Sequence, residues 1–88
     1  MKAVEIIPLA EKKILRRGIS REWVEETIRT PDQAVEGYGG RMVAQRLYRI
    51  RDKKMLLRVV FDETDEKYVV VTAYLTSAGK RYWKEGGR

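Results

Sequence analysis

The sequence predicts an α+β domain of order β-α-α-β-β-β, in which a helix hairpin packs on one face of an antiparallel sheet. Two segments, Met55–Phe61 and Tyr68–Leu75, are rich in the Val, Leu, Tyr and Phe residues that favour strands. The charged breaks Arg51–Lys54 and Asp62–Lys67 are too short to hold a crossover helix, so the strands that they join must run antiparallel. We therefore expect a three-stranded meander over Arg41–Leu75, which needs a cover on its apolar face.

The first half of the chain is predicted to supply that cover and one further strand. Lys2–Ile7 is short and β-prone, and Pro8 ends it because proline cannot donate a hydrogen bond to a neighbouring strand. Leu9–Arg17 is predicted to follow as a helix of about two turns. Gly18 is expected in the left-handed conformation in which many helices end.

The second helix has the clearest boundaries. Ser20 is a strong N-cap residue, and Thr30 precedes Pro31, where a helix is expected to stop. Its buried stripe is expected to consist of one aromatic and three smaller side chains, Trp23, Val24, Thr27 and Ile28. Because the same helix carries three glutamates, the hairpin is not expected to read DNA as a helix-turn-helix motif does.

The remaining segments are predicted to lack regular structure. Asp32–Gly40 is expected to be a glycine-bearing loop and Thr76–Gly79 a turn, while Lys80–Lys84 places two aromatic residues among cations. The whole chain, residues 1–88, is expected to form a single domain. Its core is expected to be thin, because a chain of this size buries only roughly two-thirds of its unfolded surface.

Composition excludes several classes of function. The chain has no cysteine and no histidine, which removes disulfides, thiolate and histidine metal sites, and acid–base catalysis by histidine. No apolar run approaches the roughly 18 residues of a membrane span, and the N-terminus has no signal-peptide pattern. We expect a cytoplasmic protein without a membrane segment, metal or cofactor. Any chemistry would use Arg, Lys, Tyr, Ser, Thr or carboxylate groups.

The distribution of charge favours a polyanionic or acidic partner. The net charge is +6, and the basic residues concentrate in Lys12–Arg17, in the strand that begins near Arg41, and in residues 80–88. Acidic residues collect in the second helix and in Asp62–Glu66. Such segregation favours a positive surface for RNA, DNA or an acidic protein, although a charged surface also serves solubility alone.

Several pieces of the chain, taken in order, resemble a known family. They are the run RGIS at Arg17–Ser20, the run WVEETI, Pro31–Asp32, an arginine-bearing strand, and the runs LLRVV and VVVTAY. The set extends from about Leu9 to Trp83. It resembles a family of small, uncharacterised prokaryotic domains related to the RelE/ParE-type toxins of toxin–antitoxin modules. The resemblance implies the same β-α-α-β-β-β fold.

The resemblance implies several functions and contains one departure. RelE-like toxins are mRNA endonucleases that use Arg, Lys and Tyr on the open sheet face, ParE-like toxins inhibit gyrase, and an antitoxin neutralises both kinds. Related domains often begin the first helix with His-Ala and carry an Arg three residues after the Ala. This sequence has Leu9-Ala10 and Lys13 at those positions, so any function of that histidine is absent.

Cleavage of RNA through its 2′-hydroxyl needs a proton acceptor, cations that stabilise charge on phosphorus, and an acid for the leaving oxygen. The candidate catalytic residues are cations and a phenol of the meander and the tail, namely Arg46, Arg58, Tyr74 and Arg81. Arginine is a good phosphate clamp. A lysine or tyrosine would need a lowered pKa to accept the proton. The sequence identifies no general base.

Arg46 and Arg58, the candidate arginines of the middle strands, are predicted to lie on opposite faces of the sheet. If the first hairpin turns through Asp52-Lys53, Arg46 lies opposite Val59, and Arg46 and Arg58 then point in opposite directions. A one-residue bulge would reverse that result.

Two features have both a structural and a functional interpretation. A central-strand arginine such as Arg58 usually forms an ion pair with a helix carboxylate, here Glu22, Glu25 or Glu26, and the alternative is contact with phosphate. Tyr82-Trp83 either stacks on bases or folds back to cover the sheet. The predicted nucleic-acid-binding residues come from the first helix and the tail: Lys13, Arg17, Lys80, Arg81, Tyr82 and Lys84.

Two functions follow from these observations. The first is a toxin-like domain that binds RNA or the translation machinery, including the ribosome, and acts as a metal-independent mRNA endonuclease. The second is a non-enzymatic interaction module, a degenerate toxin that binds an acidic partner such as an antitoxin. The sequence does not determine the oligomeric state.

Overall fold

A computed structural model describes residues 2–77 and 82–83 of the chain. Within these residues the elements are, in order, β1 (Ala3–Ile6), α1 (Pro8–Arg16), α2 (Arg21–Arg29), β2 (Gln33–Glu36), a single 3-10 turn (Tyr38–Gly40), β3 (Met42–Ile50), β4 (Lys53–Glu63) and β5 (Lys67–Thr76). The described strands form one sheet of order β1-β5-β4-β3-β2. β1 runs parallel to β5, and the other pairs are antiparallel. The predicted α+β fold is confirmed.

Both helices begin and end where the sequence predicts, to within a residue or two. At the end of α1 the Ile19 N–H donates to the Ile14 carbonyl at 3.0 Å and the Gly18 N–H to the Leu15 carbonyl at 3.1 Å. With Gly18 at a φ of 69°, this is a Schellman motif. At the start of α2 the Ser20 hydroxyl accepts a hydrogen bond from the Trp23 N–H at 3.1 Å.

The helices cover one face of the sheet, here called the helix face. α1 packs on β5, and α2 packs on β3 and β4. Alternation along β4 sends Leu57, Val59 and Phe61 into the resulting core, where they join Val24 and Ile28 of α2. The intervening residues of β4 point to the other side, which is called the open face because neither helix lies on it.

Strand β2 was not expected, since Asp32–Gly40 was predicted to be a loop. Residues 33–36 pair antiparallel with β3 from Met42 to Gln45. Asp32 fixes the start of this strand, because its N–H donates to the Gln45 carbonyl at 2.9 Å and its carboxylate accepts from the Leu47 N–H at 2.8 Å. At its end Gly37 is required, since a Cβ there would lie 2.8 Å from Cγ2 of Val43.

The first hairpin has a different register from the predicted one. It turns through Arg51-Asp52, which have φ of 51° and 64°, and Arg46 therefore pairs with Leu57 instead of Val59. Positive φ at both central residues gives the two-residue turn whose twist matches that of the strands. The register differs by two residues, an even number, so every side chain keeps its predicted face. Arg46 and Arg58 do lie on opposite faces, and the bulge in the sheet lies between β4 and β5.

Candidate nucleic-acid interface on the open face

Arg58 lies in the central strand β4 and is half-buried on the open face. The sheet register places it in one row with Gln45 of β3 and Tyr74 of β5. Its Nε donates to Oε1 of Gln45 at 2.9 Å, and its Nη1 donates to the Tyr74 hydroxyl at 2.6 Å. Two neighbouring strands therefore hold the guanidinium from both sides.

Gln45 connects this arginine to the rest of the face. The side chain of Gln45 is fully buried, and its Nε2 donates to Oε1 of Gln33 at 2.9 Å and to the Tyr82 carbonyl at 3.1 Å. Both ends of the amide thus have partners, which fixes its orientation. A buried, fully hydrogen-bonded amide is rigid because each broken bond would leave a buried polar group unsatisfied.

Tyr82 lies directly on this row. Its ring centroid is 4.0 Å from the central carbon of the Arg58 guanidinium, and the ring of Tyr74 is 5.8 Å from the same atom. Both distances lie within the roughly 6 Å of a cation–π contact, and that to Tyr82 is the shorter. Of the two alternatives predicted for Tyr82, the structure therefore supports folding back onto the sheet.

No carboxylate neutralises Arg58 within the described part of the chain, where its polar partners are Gln45 and Tyr74. The predicted ion pair with a glutamate of α2 is wrong. The pair does not form because the Arg58 side chain points to the open face, whereas α2 lies on the opposite side of the sheet. Two of the five N–H donors of this guanidinium have partners among the described residues, and Nη2 has none there.

Arg46 has the role that was predicted for Arg58. It lies on the helix face, where its Nε is 3.8 Å from Oε1 of Glu26 and its Nη1 donates to the Thr30 carbonyl. The guanidinium also lies 5.7 Å from the ring of Tyr48. Arg46 therefore ties the end of α2 to β3, and it cannot reach a ligand on the open face.

Tyr48 completes this cluster on the helix face. Its hydroxyl donates to Oε1 of Glu26 at 2.6 Å, and its ring stacks on Trp23 with centroids 4.2 Å apart. Burial raises the pKa of the Tyr48 phenol above its ordinary value of 10.0, and the hydrogen bond to Glu26 raises it further. The cluster is a structural one, because each polar group in it contacts a partner from another element.

The structure brings together only part of the predicted site. Of the four candidate catalytic residues, Arg58 and Tyr74 are in contact, Arg46 is on the other face, and Arg81 lies outside the described residues. Among the predicted binding residues Tyr82 is in the row. Lys80, Arg81 and Lys84 lie outside the described residues.

The cations of α1 lie in the helix layer, away from this row. Lys13 is half-buried there, while Arg17, just past the helix end, donates from Nη1 to the Ala73 carbonyl at 2.8 Å. That carbonyl belongs to the part of β5 that extends beyond β1, which pairs with β5 only as far as Val70. Arg17 thus blocks an edge of the sheet, a common protection against unwanted strand pairing.

Gln33 and Gln45 belong to this row but were not predicted from the sequence. A signal for Gln45 existed, because it is a polar residue of β3 that lies between the apolar run Met42–Ala44 and Leu47. Such a position predicts a buried polar group with defined partners. Nothing in the sequence around Gln33 predicted its part in the row, because β2 itself was not expected.

The fold and this row define a small α+β domain with a polar cluster on the uncovered side of its sheet. Comparison with known families shows that the chain belongs to the family described as domain of unknown function DUF4258, which matches residues 10–75. No curated protein and no solved structure matches the chain. The relation to RelE/ParE-type toxins stays a prediction.

Residues 2–77 and 82–83 contain no helix that is long and apolar enough to cross a membrane. They also contain no cluster of three or more His, Cys, Asp or Glu side chains that could hold a metal ion.

Proposed function

We propose that this domain is a toxin-like module that binds RNA, alone or in the translation machinery of the cytoplasm, through the open face of its sheet. Arg58 carries the proposal: it is a half-buried cation whose described polar partners are all neutral. Removing a charge from water is costly unless a counter-charge compensates it. A phosphate group would supply that counter-charge.

The orientation of the guanidinium supports a phosphate ligand. Arginine binds phosphate in the plane of the guanidinium, through its N–H groups. The Tyr82 ring lies 4.0 Å from the central carbon of this group, and Nη2, which has no hydrogen-bond partner among the described residues, can donate to an anion. Gln45 and Tyr74 hold the group in one orientation, so little conformational entropy would be lost on binding.

The aromatic rings of the row support a single-stranded ligand. Unpaired bases stack on tyrosine rings without strong sequence preference. Tyr74 and Tyr82 both lie beside the Arg58 guanidinium, so one base and its phosphate could contact the row together. A duplex offers no unstacked base to such a row.

A binding measurement on matched variants tests the proposal. We expect Arg58→Gln to weaken binding of a labelled single-stranded RNA by about tenfold or more, because a charge-assisted hydrogen bond is lost. Fluorescence anisotropy would measure the affinity. Arg46→Gln removes the same charge from the other face and should change affinity less than about threefold. Equal losses in the two variants would refute the assignment to the open face.

Cleavage of RNA is a second candidate activity, favoured by the 2.6 Å contact between Arg58 and the Tyr74 hydroxyl. The arginine would stabilise charge on the phosphorus, and the phenol would transfer a proton. Tyr74→Phe should then reduce cleavage by about a hundredfold or more and leave RNA affinity nearly unchanged. Intact RNA after incubation with the unaltered protein would leave a binding module without nuclease activity.

The toxin-like part of the proposal has its own test in cells. Induced expression should arrest growth, and primer extension should map the affected transcripts. Co-expression of an acidic antitoxin should relieve the arrest. Normal growth with intact transcripts would favour the alternative module, which binds an acidic protein and has no effect on RNA. A pull-down that recovers one acidic protein after ribonuclease treatment would identify that alternative.

A further inference from the structure

We propose that the tip of the β3–β4 hairpin is a second contact surface for the RNA backbone, and this inference rests on the proposed RNA-binding function. The hairpin tip, residues 49–54, carries four exposed cations and a single carboxylate, Asp52. The cations are Arg49, Arg51, Lys53 and Lys54. They come from two strand ends and the turn between them, so they are held at one projecting end of the sheet.

The four cations have no ion-pair partner within the described residues, whereas the acidic end of the same hairpin strands is neutralised. There, Asp62 pairs with Arg41 at 3.3 Å, and Glu63 pairs with Lys2. The basic end of β4 therefore has no ion pairs among the described residues, whereas the carboxylates at its acidic end are paired. Only the basic end leaves charge available for a partner.

Two of these cations face each other across the hairpin. Arg49 and Lys54 are directly opposite in the register, and alternation places both on the open face with Arg58. Like charges in directly opposite positions destabilise a sheet. A bound anion between them would remove that repulsion, so the arrangement favours a negatively charged ligand on this face.

The turn also presents its charges in an uncommon backbone conformation. Arg51 and Asp52 both have positive φ, a conformation that usually selects Asn or Gly in such turns. A bulky residue with positive φ is rare and costs stability. Arg51 at the tip therefore has a backbone conformation that costs conformational free energy, which a glycine at this position would not.

Geometry connects the tip to the Arg58 row. Lys54 lies four positions before Arg58 in β4, a distance of about 13 Å along the strand. Leu47 and Leu56 lie side by side between the two positions on the same face. A single RNA strand could therefore contact Arg58 with one phosphate and the tip with others further along, a shorter reach than the about 4–16 nucleotides that one OB fold binds.

The chemistry of the tip favours an RNA backbone over an acidic protein. Protein interfaces are depleted in lysine, and aromatic, methionine and arginine side chains anchor them, whereas residues 49–54 contain two lysines, no aromatic residue and Ile50 as their only apolar residue. Ile50 is half-buried and has the parity of the helix face, so it offers no anchor on the open face. Backbone recognition of nucleic acid needs only cations at suitable spacing.

The test compares two double variants of the full chain with equal loss of charge. Arg49→Gln with Lys54→Gln removes two cations from the tip, and Lys12→Gln with Arg16→Gln removes two exposed cations from α1. The probe is a labelled single-stranded oligouridylate, titrated by anisotropy over a series of salt concentrations. For the tip variant we expect the slope of log affinity against log salt to fall in magnitude by about 1.4, since each phosphate contact contributes about 0.7. The α1 variant should keep the original slope.

A single substitution separates binding from folding. Lys54→Glu places a carboxylate opposite Arg49, which should raise the melting temperature slightly because a repulsive pair becomes attractive. The same substitution should weaken RNA binding more than Lys54→Gln does. A loss of affinity accompanied by a lower melting temperature would contradict this prediction, since it would assign Lys54 to the stability of the hairpin.

The remaining outcomes distinguish this inference from the function on which it rests. Absence of RNA binding by the unaltered protein would overturn both. If that protein binds RNA, Arg58→Gln weakens binding and the tip variant keeps its full salt slope, only the inference about the tip fails. Polyglutamate that binds with the same affinity and the same dependence on Lys54 would also overturn it, because the tip would then be a general site for acidic chains.

Discussion

Arg46 on the helix face and Arg58 on the open face both come from the middle strands of the sheet, and the two arginines have opposite surroundings. Arg46 contacts the carboxylate of Glu26 and the carbonyl of Thr30 at the end of α2. Arg58, on the other face, contacts an amide and a phenol. The same residue type therefore stabilises the fold on one side and leaves its charge uncompensated on the other.

This difference shows that the groups packed on each face determine whether its polar residues find partners inside the domain. Two helices supply carboxylates and carbonyls to the helix face, so its cation is paired within the domain. The open face is contacted by Tyr82, which supplies a ring and a carbonyl but no negative charge. Matched substitutions on the two faces should therefore have different effects on stability and on binding.

The largest expected effect concerns the neighbouring residues Leu56 and Leu57, both of which have no exposed surface. Leu57 lies in the main core beneath the helices, and Leu56 lies on the open face outside that cluster. We expect Leu57→Ala to lower the free energy of unfolding by about 3–5 kcal/mol, because packed helices collapse poorly around a cavity. Leu56→Ala should cost about 2–3 kcal/mol, since neither α1 nor α2 packs on that face and the neighbouring side chains can relax into the space.

Urea denaturation of both variants measures these costs. Unchanged m-values would show that the denatured states are comparable. An equal cost for the two substitutions would mean that the open face is as firmly packed as the helix face. The difference between the faces would then be one of charge and not of packing.

Most of the fold could be predicted because its signals are local. Ser20 and Gly18 set the helix ends through hydrogen bonds within a few residues, and strand patterns with short charged breaks determined the antiparallel meander. β2 could not be predicted, because a four-residue strand has little pattern of its own and depends on pairing with β3. The turn at Arg51-Asp52 was placed one residue too late, since neither residue is the Asn or Gly that marks such a turn.

The site was predicted less completely, because the sequence indicated the face on which Arg58 lies but not its partners. The sequence placed it correctly on the face opposite Arg46, but the general preference of central arginines for helix carboxylates gave it the wrong partner. Its actual partners, Gln45 and Tyr74, are brought beside it by the registers of two strand pairs. Registers depend on turn geometry and bulges, which a short sequence pattern defines only approximately.

The next effect compares the two buried polar residues of the described chain, Gln45 and Thr27. Gln45→Leu should lower the free energy of unfolding by about 1–3 kcal/mol, because the Nε of Arg58 and the Tyr82 carbonyl lose their partner. Thr27→Val should cost less than about 1 kcal/mol, since its hydroxyl donates to a carbonyl of its own helix. Thermal unfolding of the two variants checks the ranking, and a neutral Gln45→Leu would show that the polar row is not rigid.

A smaller effect is expected for the ion pair of the helix face. Arg46 and Glu26 are 3.8 Å apart and both remain partly exposed, at 30% and 47% of the side chain. A double-mutant cycle with Arg46→Gln and Glu26→Gln should therefore give a coupling free energy of about 0.2–1 kcal/mol, reduced by added salt. A coupling free energy above about 2 kcal/mol would mean that water is largely excluded from this pair, although both side chains are partly exposed.

The smallest effect appears only at high pH and reports on Tyr48. Its pKa in the folded state is raised above the ordinary value of 10.0, by burial first and then by the hydrogen bond to Glu26. The unfolded chain therefore loses this proton at a lower pH than the folded chain, so stability is retained below about pH 10 and falls as the pH rises above it. Tyr48→Phe should remove that part of the decline. Thermal melting over a series of alkaline pH values would measure the decline in the unaltered protein and in the variant, and an unchanged decline in Tyr48→Phe would place its origin elsewhere in the chain.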